Sequence, residues 1–142
     1  MISKWDLRFL ELANQIATWS KDPSTKVGAV IADGKHVVSI GYNGFPPGVE
    51  DNPEWLEDRS TKYSLTIHAE VNAVLNANRP VSGYTLYATP LAPCPDCAKH
   101  LAAAGIKRVV CKVPEEYPDR WADKLDLVKA VFERNGISFE IH

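Results

Sequence analysis

Apolar residues Trp5, Phe9, Leu12, Ile16 and Trp19 recur at intervals of three and four, the period of one face of a helix. Ser3 followed by Asp6 supplies a capping signal at its start, and Asp22-Pro23 closes the segment. The pattern then changes. Residues 26–31 (KVGAVI) and 37–42 (VVSIGY) are short β-branched runs, and Ala32-Asp33-Gly34-Lys35 between them supplies turn chemistry, so a hairpin is predicted. From Asn43 to Lys62 the chain is polar, with three prolines and mixed charge. A connection of that length reads as a lid or binding loop, here spanning 43–67.

Helical composition returns at 68–78 (HAEVNAVLNAN), which Arg79-Pro80 ends. A strand at 84–89 follows, then a helix at 95–104 opened by Pro95 and stopped by Gly105. The remainder reads as a strand at 106–113, a helix at 121–134 ended by Asn135-Gly136, and a strand at 137–142. Helices separating the last three strands predict parallel pairing among them within a mixed five-stranded sheet. The fold class is an α/β three-layer sandwich, and residues 1–142 form one domain.

Composition narrows the function. The chain has 142 residues, 45% hydrophobic and 24% charged, which suits one globular domain. Its 16 basic and 18 acidic residues leave a net charge of −2, a poor match to a nucleic-acid binder. Neither a membrane span nor a signal peptide is legible, so a cytoplasmic location is expected. Three cysteines, an odd count, point away from a disulfide framework and towards reduced thiols used for metal or packing.

Two short motifs carry the chemistry. One is His68-Ala69-Glu70; the other is Pro93-Cys94-Pro95-Asp96-Cys97. Cysteines three apart across a helix start can grip one zinc ion, because the helix N-terminus favours their thiolates. Alone, each half has a plainer reading: a packed histidine, or a redox pair. Together they give three ligands, His68, Cys94 and Cys97, and an open fourth position, the arrangement of a catalytic rather than a structural zinc. Such an ion brings the pKa of its water to roughly 7, and Glu70, two residues from His68, is placed to shuttle protons. Cys111, among valines in a strand, reads as a core thiol.

At these residues the sequence resembles the zinc-dependent cytidine/deoxycytidylate deaminase superfamily, whose signature is H-x-E followed by P-C-x-x-C. Residues 21–30 (KDPSTKVGAV), 41–46 (GYNGFP), 68–75 (HAEVNAVL) and 98–108 (AKHLAAAGIKR) are most similar to its deoxycytidylate branch, and the likeness covers roughly 5–113. The resemblance implies the cytidine-deaminase-type α/β/α fold and hydrolysis of dCMP to dUMP and ammonia. It also implies one Zn2+ per chain on His68, Cys94 and Cys97, with Glu70 protonating ring N3 and then the leaving amine. Further implications are the Ala69 N–H on the pyrimidine carbonyl, Asn43 on the sugar hydroxyl, and Arg79 on the phosphate, where its plainer reading is a helix-end cation; Ser24, Thr25 and Lys26 offer a second donor cluster near the first strand.

The same likeness implies a homo-oligomer, hexamer or dimer, with Mg2+–dCTP as an allosteric activator. Pro47 and the acidic stretch 50–54 depart from the pattern of the region that would regulate it, and 43–67 holds no cysteine for a second zinc. Deaminases of tRNA or of free nucleosides, and a non-catalytic zinc scaffold, are the competing readings.

Overall fold

A computed structural model describes residues 2–116 and 119–142, with the side chains of all these except 119–122. The first helix, α1 (Lys4–Ala17), starts on a closed capping box: the Asp6 N–H donates to Ser3 Oγ at 3.1 Å and the Ser3 N–H to Asp6 Oδ2 at 2.8 Å. Trp19 lies past its end, so it leaves the apolar stripe. It stands half exposed and edge-on to Tyr42, with ring centroids 6.2 Å apart.

Strands β1 (Gly28–Asp33) and β2 (His36–Tyr42) form the expected hairpin, with Gly34 at φ +60° in its turn. The polar stretch after it is more ordered than a lid loop. Asn52 caps α2 (Pro53–Glu57), its Oδ1 accepting from the Glu54 N–H at 2.8 Å, and α3 (Arg59–Leu65) follows. An asparagine cap followed by proline at the first helical position is a helix start that the chain's polarity masked.

Then come α4 (Ala69–Asn76), β3 (Thr85–Thr89), α5 (Pro95–Ala104), β4 (Arg108–Cys111), α6 (Asp119–Arg134) and β5 (Ser138–Ile141). The predicted order holds, with strands trimmed at their ends and α6 starting two residues earlier than expected. The side chain of Trp121 lies outside those described.

The five strands run β2-β1-β3-β4-β5. β1 is antiparallel to both neighbours, while β3, β4 and β5 are parallel, as the intervening helices required. Alternation of side chains then assigns the two faces. Val30, Ala32, Tyr87 and Val110 meet Phe9, Leu10 and Ala13 of α1. On the other face Ile31, Leu86, Val109 and Cys111 meet Ala73 of α4, Leu101 of α5 and Phe132 of α6. This is the three-layer sandwich with its last strands parallel, and Cys111 is fully buried in it.

Two features set how closely the layers approach. Gly41 lies under α4 with no room for a side chain: a Cβ there would sit 2.5 Å from the Ala69 carbonyl oxygen. Gly28 faces α1 in the same way, its Cβ position 2.6 Å from the Ala17 nitrogen. On the α1 face a polar network crosses the sheet. Asp6 accepts two hydrogen bonds from the Arg108 guanidinium, at 2.8 and 2.9 Å, and one from the Tyr87 hydroxyl at 2.7 Å. Arg108 also reaches Glu140 of β5 at 3.0 Å. Arg108 holds the Asp6 carboxyl well below the usual carboxylate range, with the Ser3 N–H and Tyr87 adding to it against the effect of burial. No helix among the described residues is long and apolar enough to cross a membrane.

Candidate functional site

The site forms where two helix starts meet. His68 is the N-cap residue of α4 and Cys94 that of α5. The approach to His68 is fixed by an isolated bridge: the Gly44 N–H donates to the Ile67 carbonyl at 3.1 Å and the Ile67 N–H to Gly44 at 2.8 Å. Asn72, one turn into α4, donates its side-chain amide to the Tyr42 carbonyl at 2.8 Å and ties the helix to the end of β2. On the other side, Cys94 caps α5 with its sulfur, which accepts from the Cys97 N–H at 3.4 Å. Pro95 opens that helix, and Gly105, at φ +84°, closes it.

These constraints bring His68, Cys94 and Cys97 together. Their donor atoms all lie within 4.8 Å of one another, and among the described residues they are the one cluster of this kind. His68 Nδ1 is 3.2 Å from Cys97 Sγ and 3.4 Å from Cys94 Sγ. A tetrahedral zinc with bonds of about 2.0 Å to nitrogen and 2.3 Å to sulfur separates such donors by roughly 3.5 Å. The donor set therefore fits zinc in both chemistry and size. Cys97 is buried, Cys94 half-buried and His68 exposed, so access is from the histidine side.

The electrostatics are those of a poised ligand set. The Cys94 thiol is drawn down to about 4, chiefly by the hydrogen bond from the Cys97 thiol, with His68 and the Cys97 N–H assisting against burial. Cys97 is pushed up by that same hydrogen bond and by burial. His68 is raised by the Cys94 sulfur beside it. Glu70 is 3% exposed, and burial lifts its carboxyl above the usual range despite opposition from nearby His68.

A cavity of about 620 Å³ opens onto this cluster, within the size range of small-molecule sites. His68, Ala69, Glu70 and Cys94 line it together with Asn43 and the apolar Leu91 and Ala92. Ala69 is fully buried, at the first position of α4. Asn43 is already engaged: its Oδ1 accepts from the Val27 N–H and its Nδ2 donates to the Thr25 carbonyl, both at 2.9 Å. One Nδ2 hydrogen is left over.

The two cations expected at the phosphate are not among the lining residues. Arg79 follows the α4 C-terminus, where Asn78 takes φ +55°, and its guanidinium lies over the Tyr84 ring, 5.4 Å from the centroid. Lys26 is exposed, because its neighbour Val27 takes the inward position and lines the cavity instead. In their place the wall carries Lys62, Arg59 and Lys124, which the sequence reading passed over. For Lys62 the available signal was its place on a short helix that runs straight into His68.

Known proteins resemble this chain in sequence and in fold. The family model for the cytidine and deoxycytidylate deaminase zinc-binding region matches residues 3–113. An uncharacterized deaminase from the luxG 3' region of Aliivibrio fischeri is 42% identical over 138 residues, covering 96% of this chain and 92% of that protein. Human deoxycytidylate deaminase is 36% identical over 143 residues, covering 96% of this chain and 78% of that one. In structure, the dCMP deaminase of cyanophage S-TIM5 in complex with dCMP and dUMP superposes with a TM-score of 0.81 at 30% identity, covering 100% of this chain and 99% of its own. A three-donor cluster at two helix starts, a buried glutamate beside it and these likenesses agree: the chain belongs to the cytidine and deoxycytidylate deaminase family of zinc-binding enzymes.

Proposed function

We propose that this enzyme hydrolyses the 4-amino group of dCMP, giving dUMP and ammonia. The observation that carries the reading is that the three-donor cluster and the buried Glu70 share one cavity. His68, Cys94 and Cys97 hold one zinc ion per chain, which supplies Lewis-acid activation of the attacking water when bound. Glu70 does the proton work. Its carboxyl gives a proton to ring N3 as water adds at C4 and takes up the proton that water loses; it passes that proton to the departing amine and recovers one from the new C4 hydroxyl as the carbonyl forms. The Ala69 N–H, at the start of α4, donates to the pyrimidine carbonyl, and the remaining Asn43 hydrogen serves the sugar hydroxyl. Leu91 and Ala92 keep bulk water off the ring face.

The protein works as a cytoplasmic homo-oligomer in this reading, and exposed Trp19, Tyr42 and Leu75 support association. Regulation by Mg2+–dCTP belongs to the same reading. A second cavity of about 270 Å³, lined in part by Tyr42, Asn43, Gly44, Phe45 and Pro46, supports it, although its Lys21 is taken up by Asp51 at 2.9 Å.

Ultraviolet-monitored deamination of dCMP, CMP, deoxycytidine and dCTP side by side tests the proposal, with dCMP expected to be preferred. Glu70→Gln should keep its zinc and lose about 10²–10⁴-fold in kcat. Full ammonia release by that variant, or a preference for deoxycytidine, overturns the mechanism or the substrate respectively.

A further inference from the structure

Lys62 occupies an unusual position for a residue from a polar stretch. It is 5% exposed, yet it lines the cavity that contains His68 and Glu70. Its Nζ donates to Asp22 Oδ1 and to Ser24 Oγ, each at 3.1 Å. Asp22 is itself fixed from behind, because the same oxygen accepts the Ser24 N–H at 2.8 Å and the Thr25 N–H at 3.1 Å. The ammonium is thus held on the wall by a rigid turn, with two of its three N–H directions used and one left for a ligand.

Arg59, one turn earlier on α3, and Lys124 of α6 line the same cavity. Against these three cations the Asp22 carboxylate supplies a single negative charge, so this part of the wall carries a balance of about +2. A desolvated cation is costly to keep, and a second anion beside Lys62 offsets that cost.

Resting on the dCMP reading above, we propose that Lys62 is the phosphate-selecting residue, with Arg59 assisting and Asp22 acting as a positioning residue that presents the ammonium. The wall balance matches a phosphate dianion, and a neutral nucleoside would leave it uncompensated. Lys62 thereby takes the role that residue type alone suggested for Arg79.

The test measures kcat/KM for dCMP and deoxycytidine, and affinity for dUMP and deoxyuridine by calorimetry, on the zinc-loaded protein. For Lys62→Met the preference for phosphorylated over unphosphorylated ligand should fall about 30-fold in both measurements, and Lys62→Arg should restore most of it. Arg59→Gln, at an exposed position, should lower the preference about 5-fold without affecting folding, and it decides the matter if Lys62→Met does not fold. An unchanged preference in folded Lys62→Met overturns the assignment and leaves Lys62 a strut between α3 and the turn before β1. Absence of dCMP turnover in the unsubstituted enzyme overturns the functional reading itself, a separate result.

Discussion

Adding one methyl group to Gly41 is the sharpest test of how the fold holds the catalytic groups. Gly41 sits in β2 beneath α4, and an alanine Cβ there would lie 2.5 Å from the Ala69 carbonyl oxygen, where ordinary contact begins near 3.4 Å. The obstacle is backbone, which cannot rotate away, so the start of α4 must recede by about 1 Å. His68 and Glu70 flank Ala69 and move with it, while Cys94 and Cys97 belong to α5 and stay. A displacement of 1 Å between cooperating groups costs on the order of 10²-fold in rate, and overpacking costs about 1–3 kcal/mol of stability. Gly28→Ala makes the control, since it forces a tighter backbone clash, against Ala13 and Ala17 of α1 on the opposite face. Urea unfolding and steady-state kinetics should show Gly28→Ala destabilised at least as much as Gly41→Ala, with a large loss of kcat in the folded enzyme only for Gly41→Ala. Equal kcat values, or a larger loss in Gly28→Ala, would refute the idea that the β2–α4 approach sets the site geometry.

Other consequences are equally direct. Asp6→Asn removes the charge that Arg108 pairs with, and should cost about 3 kcal/mol at pH 7. Because Asp6 titrates below its unfolded value of roughly 3.9, its contribution is present above that pH and lost as pH falls below it. The stability gap between wild type and Asp6→Asn should therefore stay constant from pH 8 to 5 and narrow progressively below about pH 4; a gap still at its full pH 7 size at pH 2.5 contradicts this. Cys97→Ala should bind zinc at least about 100-fold more weakly in a chelator competition, and retention of one tightly held ion per chain would exclude Cys97 as a ligand. Phe132→Ala, fully buried against the sheet, should cost about 3–5 kcal/mol in urea without altering the KM of the remaining folded enzyme.

How much of this was legible in the sequence depended on how local the physics was. The Ser3–Asp6 capping box, the hairpin turn and the Pro95 and Gly105 boundaries of α5 are set by neighbours within a few residues, and they were read correctly. The metal donors were legible for a similar reason, since ligation demands particular residue types at particular spacings. Lys62 shows where that reasoning runs out. Its burial depends on α3 folding back onto Asp22, 40 residues earlier, and a lysine between polar neighbours reads as solvated until that contact is known. Arg79 shows the converse: its residue type suits a phosphate, yet it follows a left-handed turn at Asn78, lies over Tyr84 and is not among the residues lining the cavity. The side-by-side antiparallel pairing of β1 with β3 also had no local signal, because it joins strands more than fifty residues apart.

The Asp6 network has a consequence for how the chain is made. Asp6 is translated 102 residues before Arg108 and 134 before Glu140, and its carboxylate is buried only once those partners close over it. A growing chain that has released β1, β2 and β3 alone has an unfinished sheet edge where β4 belongs and a first helix whose acid has no guanidinium. That helix can rest on β1 and β3 before then, but the ion pair that seals it is complete only once β4 and β5 are in place. Until then the edge of β3 that pairs with β4 has no strand beside it.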